Sequence, residues 1–129
     1  MKRNWTVIKK GSGRGSNPPA GDDTLCIFVD KRGDMRLSAL SFRALNAPRY
    51  VLIYSDGNGL VGVASSPQTG ETYKVGYGDQ SNHVEMRIAC KKVCRTHFQI
   101  PPDGWFRYSG KMEDGILVID ATQPPLPLV

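Results

Sequence analysis

Cys90, Cys94 and His97 fall at i, i+4 and i+7, a spacing that sets all three on one face of a helix. Thiols and an imidazole gathered in this way could hold a metal ion or form a Cys-His nucleophilic pair. A structural zinc would need a fourth ligand from His83 or Cys26, and the closely spaced cysteine pair of a zinc knuckle is missing. With Val93 between them the same positions make a core stripe, since cysteine is among the most buried residue types. The core reading is preferred, and no metal or cofactor is expected. Other catalytic chemistry is equally thin. Gly11-Ser12-Gly13-Arg14-Gly15 lacks the Gly-Lys-Ser/Thr ending of a phosphate loop, and the carboxylates are scattered through turns without a recognisable pair. An enzyme is not expected.

Charge is the stronger chemical signal. Residues 1 to 20 contain Lys2, Arg3, Lys9, Lys10 and Arg14 and no acid, so they carry the whole net charge of +5; the remaining chain has 12 basic and 12 acidic side chains. The first 22 residues, rich in Gly, Ser and Pro, lack the apolar side chains that would repay the entropy of ordering them and read as a flexible basic arm. Such an arm can follow a phosphate backbone, each cation releasing condensed counterions, or can serve as a solubilising leader. Within the neutral body the cations cluster. Lys31, Arg32, Arg36, Arg43 and Arg49 lie close together in the first half, and Arg87, Lys91, Lys92 and Arg95 lie together without an acid in the second. The acids gather in turns and linkers, so a body neutral in sum can still present a positive face. Ordinary solvated surface is the competing reading.

The elements that must position these residues are mostly strands. Thr24 to Val29 is a β-branched and aromatic run, turned at Asp30 to Asp34. Ser38 is a good N-cap for a short helix closed by Asn46 and Pro48. Tyr50 to Tyr54 and Leu60 to Ala64 flank Asp56-Gly57-Asn58-Gly59, a strong hairpin signal. Thr72 to Tyr77 alternates as a strand, turned by residues 78 to 82 towards His83 to Ile88. A second helix over Ala89 to Phe98 leads to a second hairpin, Trp105 to Tyr108 and Ile116 to Ile119. Prolines at 124, 125 and 127 argue for an extended, unpaired tail from residue 121 to 129.

Met35-Arg36-Leu37 running into a helix is matched, 51 residues later, by Met86-Arg87-Ile88 running into another. The chain therefore reads as two strand-helix-strand-strand repeats, residues 24–64 and 72–120, inside one compact domain spanning 23–120. The fold class expected is α+β and strand-rich, a pseudo-dimer made from one chain.

The run Ile27-Phe28-Val29-Asp30-Lys31-Arg32-Gly33-Asp34-Met35-Arg36-Leu37-Ser38, the helix with Arg43, and the hairpin Tyr50 to Tyr54 into Leu60 to Val63 together resemble the AbrB/SpoVT type of swapped-hairpin transcription factor. They are also similar to a set of bacterial and bacteriophage proteins with the same pattern. The resemblance covers about residues 24 to 64 well and 83 to 120 weakly. It departs at Gly33-Asp34, where the family has Gly-Arg, and at Leu37-Ser38, where it has Ile-Pro. What it implies is an interlocked β-rich body whose basic residues grip duplex DNA: Lys31, Arg32, Arg36 and Arg43 in the first half, Arg87, Lys91, Lys92 and Arg95 in the second.

The function expected is a small DNA-binding protein of regulatory type. The alternative is a protein-interaction module, such as a phage-type inhibitor or adaptor of a host protein, using an exposed Trp105-Phe106-Tyr108 strand and a polyproline-like tail. No apolar run approaches a bilayer span, no signal peptide is evident, and three cysteines suit a reducing compartment, so a cytoplasmic protein without membrane contact is expected, as a monomer or homodimer.

Overall fold

The computed structural model of the chain describes residues 22–76 and 86–128. The expected arm, the turn at 78–82 and the segment 83–85 with His83 lie outside the described residues, apart from Asp22.

Among the described residues eleven elements follow in order: β1 (Cys26–Asp30), β2 (Met35–Leu37), α1 (Ala39–Ala44), β3 (Tyr50–Ser55), β4 (Leu60–Ser65), β5 (Tyr73–Gly76), β6 (Arg87–Ile88), α2 (Lys91–His97), β7 (Trp105–Glu113), β8 (Ile116–Asp120) and β9 (Leu126–Leu128). The first eight strands close into a barrel in the order β1-β2-β6-β5-β3-β4-β8-β7, with β7 returning to β1, and every described pairing is antiparallel. The fold is α+β and strand-rich, with two short helices among the described residues. Counting the barrel strands alone, β1 and β2 precede α1 and β3 and β4 follow it, while β5 and β6 precede α2 and β7 and β8 follow it.

Alternation along the strands fills the barrel. Ile27, Val29, Met35, Leu37, Val51, Val61, Val63, Val75, Ile88, Tyr108, Leu117 and Ile119 are all buried and belong to one core cluster. Phe98, just past α2, tilts against Tyr108 at 4.7 Å, and the Tyr108 hydroxyl accepts the Gln99 N–H at 2.8 Å. The closed ring leaves few strand edges unpaired.

Local chemistry explains the helix positions. Ser38 caps α1 by accepting the Ser41 N–H at 3.1 Å, as its residue type suggests. Asp22 is part of this start: its carboxylate accepts the Ala39 N–H at 2.9 Å and pairs with Arg36, so it belongs to the body. The Ser41 hydroxyl donates to the Cys26 carbonyl and accepts the Cys26 N–H, both at 3.0 Å, fastening α1 to the start of β1. Asn46 ends the helix with φ 65°.

The C-terminal segment differs from the expectation drawn from its prolines. Leu126–Leu128 pairs with Trp105–Arg107, Pro127 opposite Phe106. Proline is tolerated there because β9 is an outermost strand, where a missing N–H can face away from the ladder. The same pairing corrects the picture of an exposed Trp105-Phe106-Tyr108 strand. Tyr108 is buried, and Trp105 and Phe106 are half-buried between β1 and β9.

Candidate nucleic-acid interface

Interior alternation on β1, β2 and β6 turns their other residues outward, and the pairing register aligns them. Arg107 lies opposite Phe28, Phe28 opposite Arg36, and Arg36 opposite Arg87, a row across four strands. Two of these arginines were expected at the interface, and both are engaged within the protein. Arg36 is 6% exposed; its guanidinium meets the Asp22 carboxylate at 3.0 Å, donates to the Leu37 carbonyl and lies 5.8 Å from the centre of the Phe28 ring. Arg87 reaches the Asp30 carboxylate at 2.8 Å and that of Asp34 at 3.2 Å. A like-charged cross-strand pair is thereby split, each member drawn to separate acids.

Asp30 anchors this arrangement. Burial pushes its carboxyl up, but the Asp34 N–H, the Arg87 guanidinium and the Arg32 N–H together outweigh that push and hold it below the ordinary carboxylate range. One Asp34 oxygen, Oδ1, is buried without a hydrogen-bond partner among the described residues.

The remaining expected residues fall into two groups. Lys31 and Arg32 occupy the exposed turn between β1 and β2; Lys31 is 4.0 Å from Asp103 and Arg32 is 3.9 Å from Asp30. Gly33, with φ +87°, lets that turn pass beneath α2: a Cβ there would lie 3.6 Å from Lys91 Cγ and 3.8 Å from Arg95 Nε. Lys31, Arg32, Lys91 and Arg95 are thus brought into one neighbourhood from positions 60 residues apart. Lys92 is exposed one position round the helix, about 100° from Lys91. Arg43 is exposed in the last turn of α1, whose first turn is fastened to the Cys26 end of β1, away from the Lys31–Gly33 turn.

Three residues near these cations were not singled out as site residues. Trp105, Arg49 and Lys74 line grooves on the barrel surface. One, of about 350 Å³, is formed by Asp30, Lys31, Arg32, Arg87, Gly104 and Trp105; another, of about 320 Å³, by Arg49, Tyr50, Lys74 and Val75. The signal available in sequence was an aromatic opening each post-helix strand, Tyr50 in β3 and Trp105 in β7.

The Cys90–Cys94–His97 stripe is packed rather than displayed. Cys90 and Cys94 are buried with their sulfurs 3.8 Å apart, His97 is half-buried, and all three cysteines are free. The hydrogen bond shared with Cys90 and then burial push the Cys94 thiol far up, which disfavours its reactive thiolate form. Among the described residues no group of three or more His, Cys, Asp or Glu is arranged to hold a metal. No helix among them is long and apolar enough to cross a membrane.

Compared with protein-family models, with curated proteins and with solved structures, the chain matches none.

Proposed function

We propose that the chain is a small DNA-binding protein of regulatory type, holding duplex phosphates through Lys31, Arg32, Lys91, Lys92 and Arg95. The observation that carries this reading is the passage of the Gly33 turn under Lys91 and Arg95. It gathers side chains from β1–β2 and α2 into one cationic surface, and α2 contains no acid to offset it. Arg36 and Arg87 have a different part: committed to carboxylates, they brace the strands beneath. Arg43 would contribute from a separate place on the surface.

The pairing pattern supports an AbrB-like pseudo-dimer as the scaffold. Exchange β1 with β5, β2 with β6, β3 with β7 and β4 with β8, and the set of pairings among the eight barrel strands is unchanged, β9 having no counterpart. β1–β7 becomes β5–β3, while β2–β6 and β4–β8 map onto themselves. Arg36 and Arg87, 51 positions apart, meet where such an axis would pass. Two-fold pseudosymmetry suits a duplex, whose backbones carry the same relation.

Fluorescence anisotropy with a short random-sequence duplex at about 50 and about 200 mM salt tests the proposal. The full chain binds, and Lys91→Ala with Arg95→Ala lowers the slope of log affinity against log salt by about 2. Absence of binding at the lower salt overturns it. In that case a protein partner is the better reading, with the groove of about 330 Å³ beside the exposed Leu60 as its docking place.

A further inference from the structure

Strands β3 and β7 each begin with an aromatic residue set against a strand from the other half, Tyr50 opposite Lys74 and Trp105 opposite Asp30. Each aromatic lines a groove that also holds cations. On the strand exchange described above the two grooves are counterparts, so an aromatic beside Lys and Arg recurs at equivalent places.

The Trp105 groove is the better built. Its backbone is held on one side by β1 and on the other by β9, and its ring meets the edge of Phe28 at 6.1 Å with the planes 77° apart. An aromatic so braced loses little freedom when a ligand stacks on it. Lys31 and Arg32, with side chains 62% and 65% exposed, stand on the rim. Their acidic neighbours compete weakly: Asp103 is an exposed partner at 4.0 Å, and Asp30 is already engaged by Arg87 and two backbone N–H groups. Beyond the rim, at Gly33, the cations continue with Lys91 and Arg95. A flat ring beside a line of cations is the combination that binds an unpaired base and its flanking phosphates.

We infer that the Trp105 groove takes one unpaired nucleotide of a single-stranded nucleic acid, its base stacked on Trp105 and its phosphate held by Lys31 and Arg32. A paired base, already stacked on both faces, has no ring to offer, so a duplex would rest on the cations alone. The inference rests on the reading of the Lys31–Arg95 surface as a phosphate-binding face and adds a second form of nucleic acid to it.

The chain has two tryptophans, Trp5 and Trp105, so Trp5→Phe in the full chain leaves Trp105 as the sole tryptophan reporter. That protein is titrated with a short oligothymidylate, an abasic backbone of equal length, and a duplex of equal length. Oligothymidylate quenches the fluorescence to about half, and the abasic backbone does not. Trp105→Ala lowers oligothymidylate affinity about tenfold, Trp105→Phe restores most of it, and Lys31→Ala with Arg32→Ala lowers the salt slope by about 1.4. Should Trp105→Ala fail to fold, the titration and the Lys31/Arg32 variant decide the matter, both of those residues being exposed. Equal quenching by the abasic backbone, or binding of oligothymidylate without a change in Trp105 emission, overturns the inference. Salt-dependent duplex anisotropy that survives such a result leaves the duplex reading standing; loss of both defeats both.

Discussion

Arg36 of β2 and Arg87 of β6 face one another across an antiparallel strand pair, and each points its charge at its own carboxylates, Asp22 at 3.0 Å for Arg36 and Asp30 at 2.8 Å for Arg87. The ring is held at this point by only two residue pairs in register, so the ion pairs on its outer face reinforce a short ladder. Replacing Arg87 by Ala leaves Asp34 without its cation and Asp30 with only the exposed Arg32 at 3.9 Å, in a largely covered position. A loss of about 2 kcal/mol is expected, less than for a fully buried pair because the side chain is 25% exposed. A urea midpoint equal to that of the parent protein would refute it.

Acid titration should expose the same coupling. Because the folded pKa of Asp30 lies below its unfolded value of about 3.9, its contribution is present in full above that pH and is lost as pH falls through the folded pKa. In Arg87→Ala one of the groups opposing burial is gone, the carboxyl rises, and unfolding on acidification begins at higher pH. Circular dichroism from pH about 6 downwards compares the two proteins, and coincident curves would contradict the assignment.

The thiols offer a test in the opposite direction. Burial raises the pKa of Cys26, and the contact with Cys90 together with burial raises that of Cys94. Their protonated packing stabilises the fold fully below the unfolded thiol pKa of about 8.5, and the benefit is lost as pH rises above it. A disulfide-exchange reagent should modify all three cysteines rapidly after denaturation and slowly before. Cys94→Ala should cost about 1 kcal/mol through lost packing, with the unfolding midpoint unmoved by a chelator. A chelator-induced shift would restore the metal reading.

Barrel closure depends on Gly110, where β7 leaves β1 and takes up β8. A Cβ there would lie 2.7 Å from Ile119 Cδ1 and 3.0 Å from Leu117 Cδ1, inside the packed wall. Gly110→Val should destabilise by about 1–3 kcal/mol through overpacking. Gly70→Ala, with nothing within 4 Å of the new methyl, serves as the control and should leave the thermal midpoint unchanged.

Elements whose signals are local were legible in sequence. Asp56-Gly57-Asn58-Gly59 marks its hairpin because the Asp56 carboxylate accepts the N–H groups of Asn58 and Leu60, at 2.7 and 3.0 Å. Ser38 marks its helix by the bond it accepts from Ser41. The pairings that make the barrel, β1 with β7 and β3 with β5, join residues far apart and leave no local trace. The site was half legible for the same reason. Alternation correctly turns Arg36 outward, yet only the fold reveals that Asp22 and Phe28 cover it. Lys31 and Lys91 were recognisable as basic; that the Gly33 turn would unite them was not.

The pairing of Cys26–Asp30 with Trp105–Ser109 governs the time course by which the molecule acquires its shape. During synthesis β1 can find β2 at once, but its other flank has no partner until residue 109 has been made. Closing the ring joins chain ends separated by most of the sequence, the kind of contact that slows folding to milliseconds or longer. Until then a strand carrying Ile27, Phe28 and Val29 remains half-paired on the nascent chain. This makes β1 the segment a chaperone would have most reason to cover.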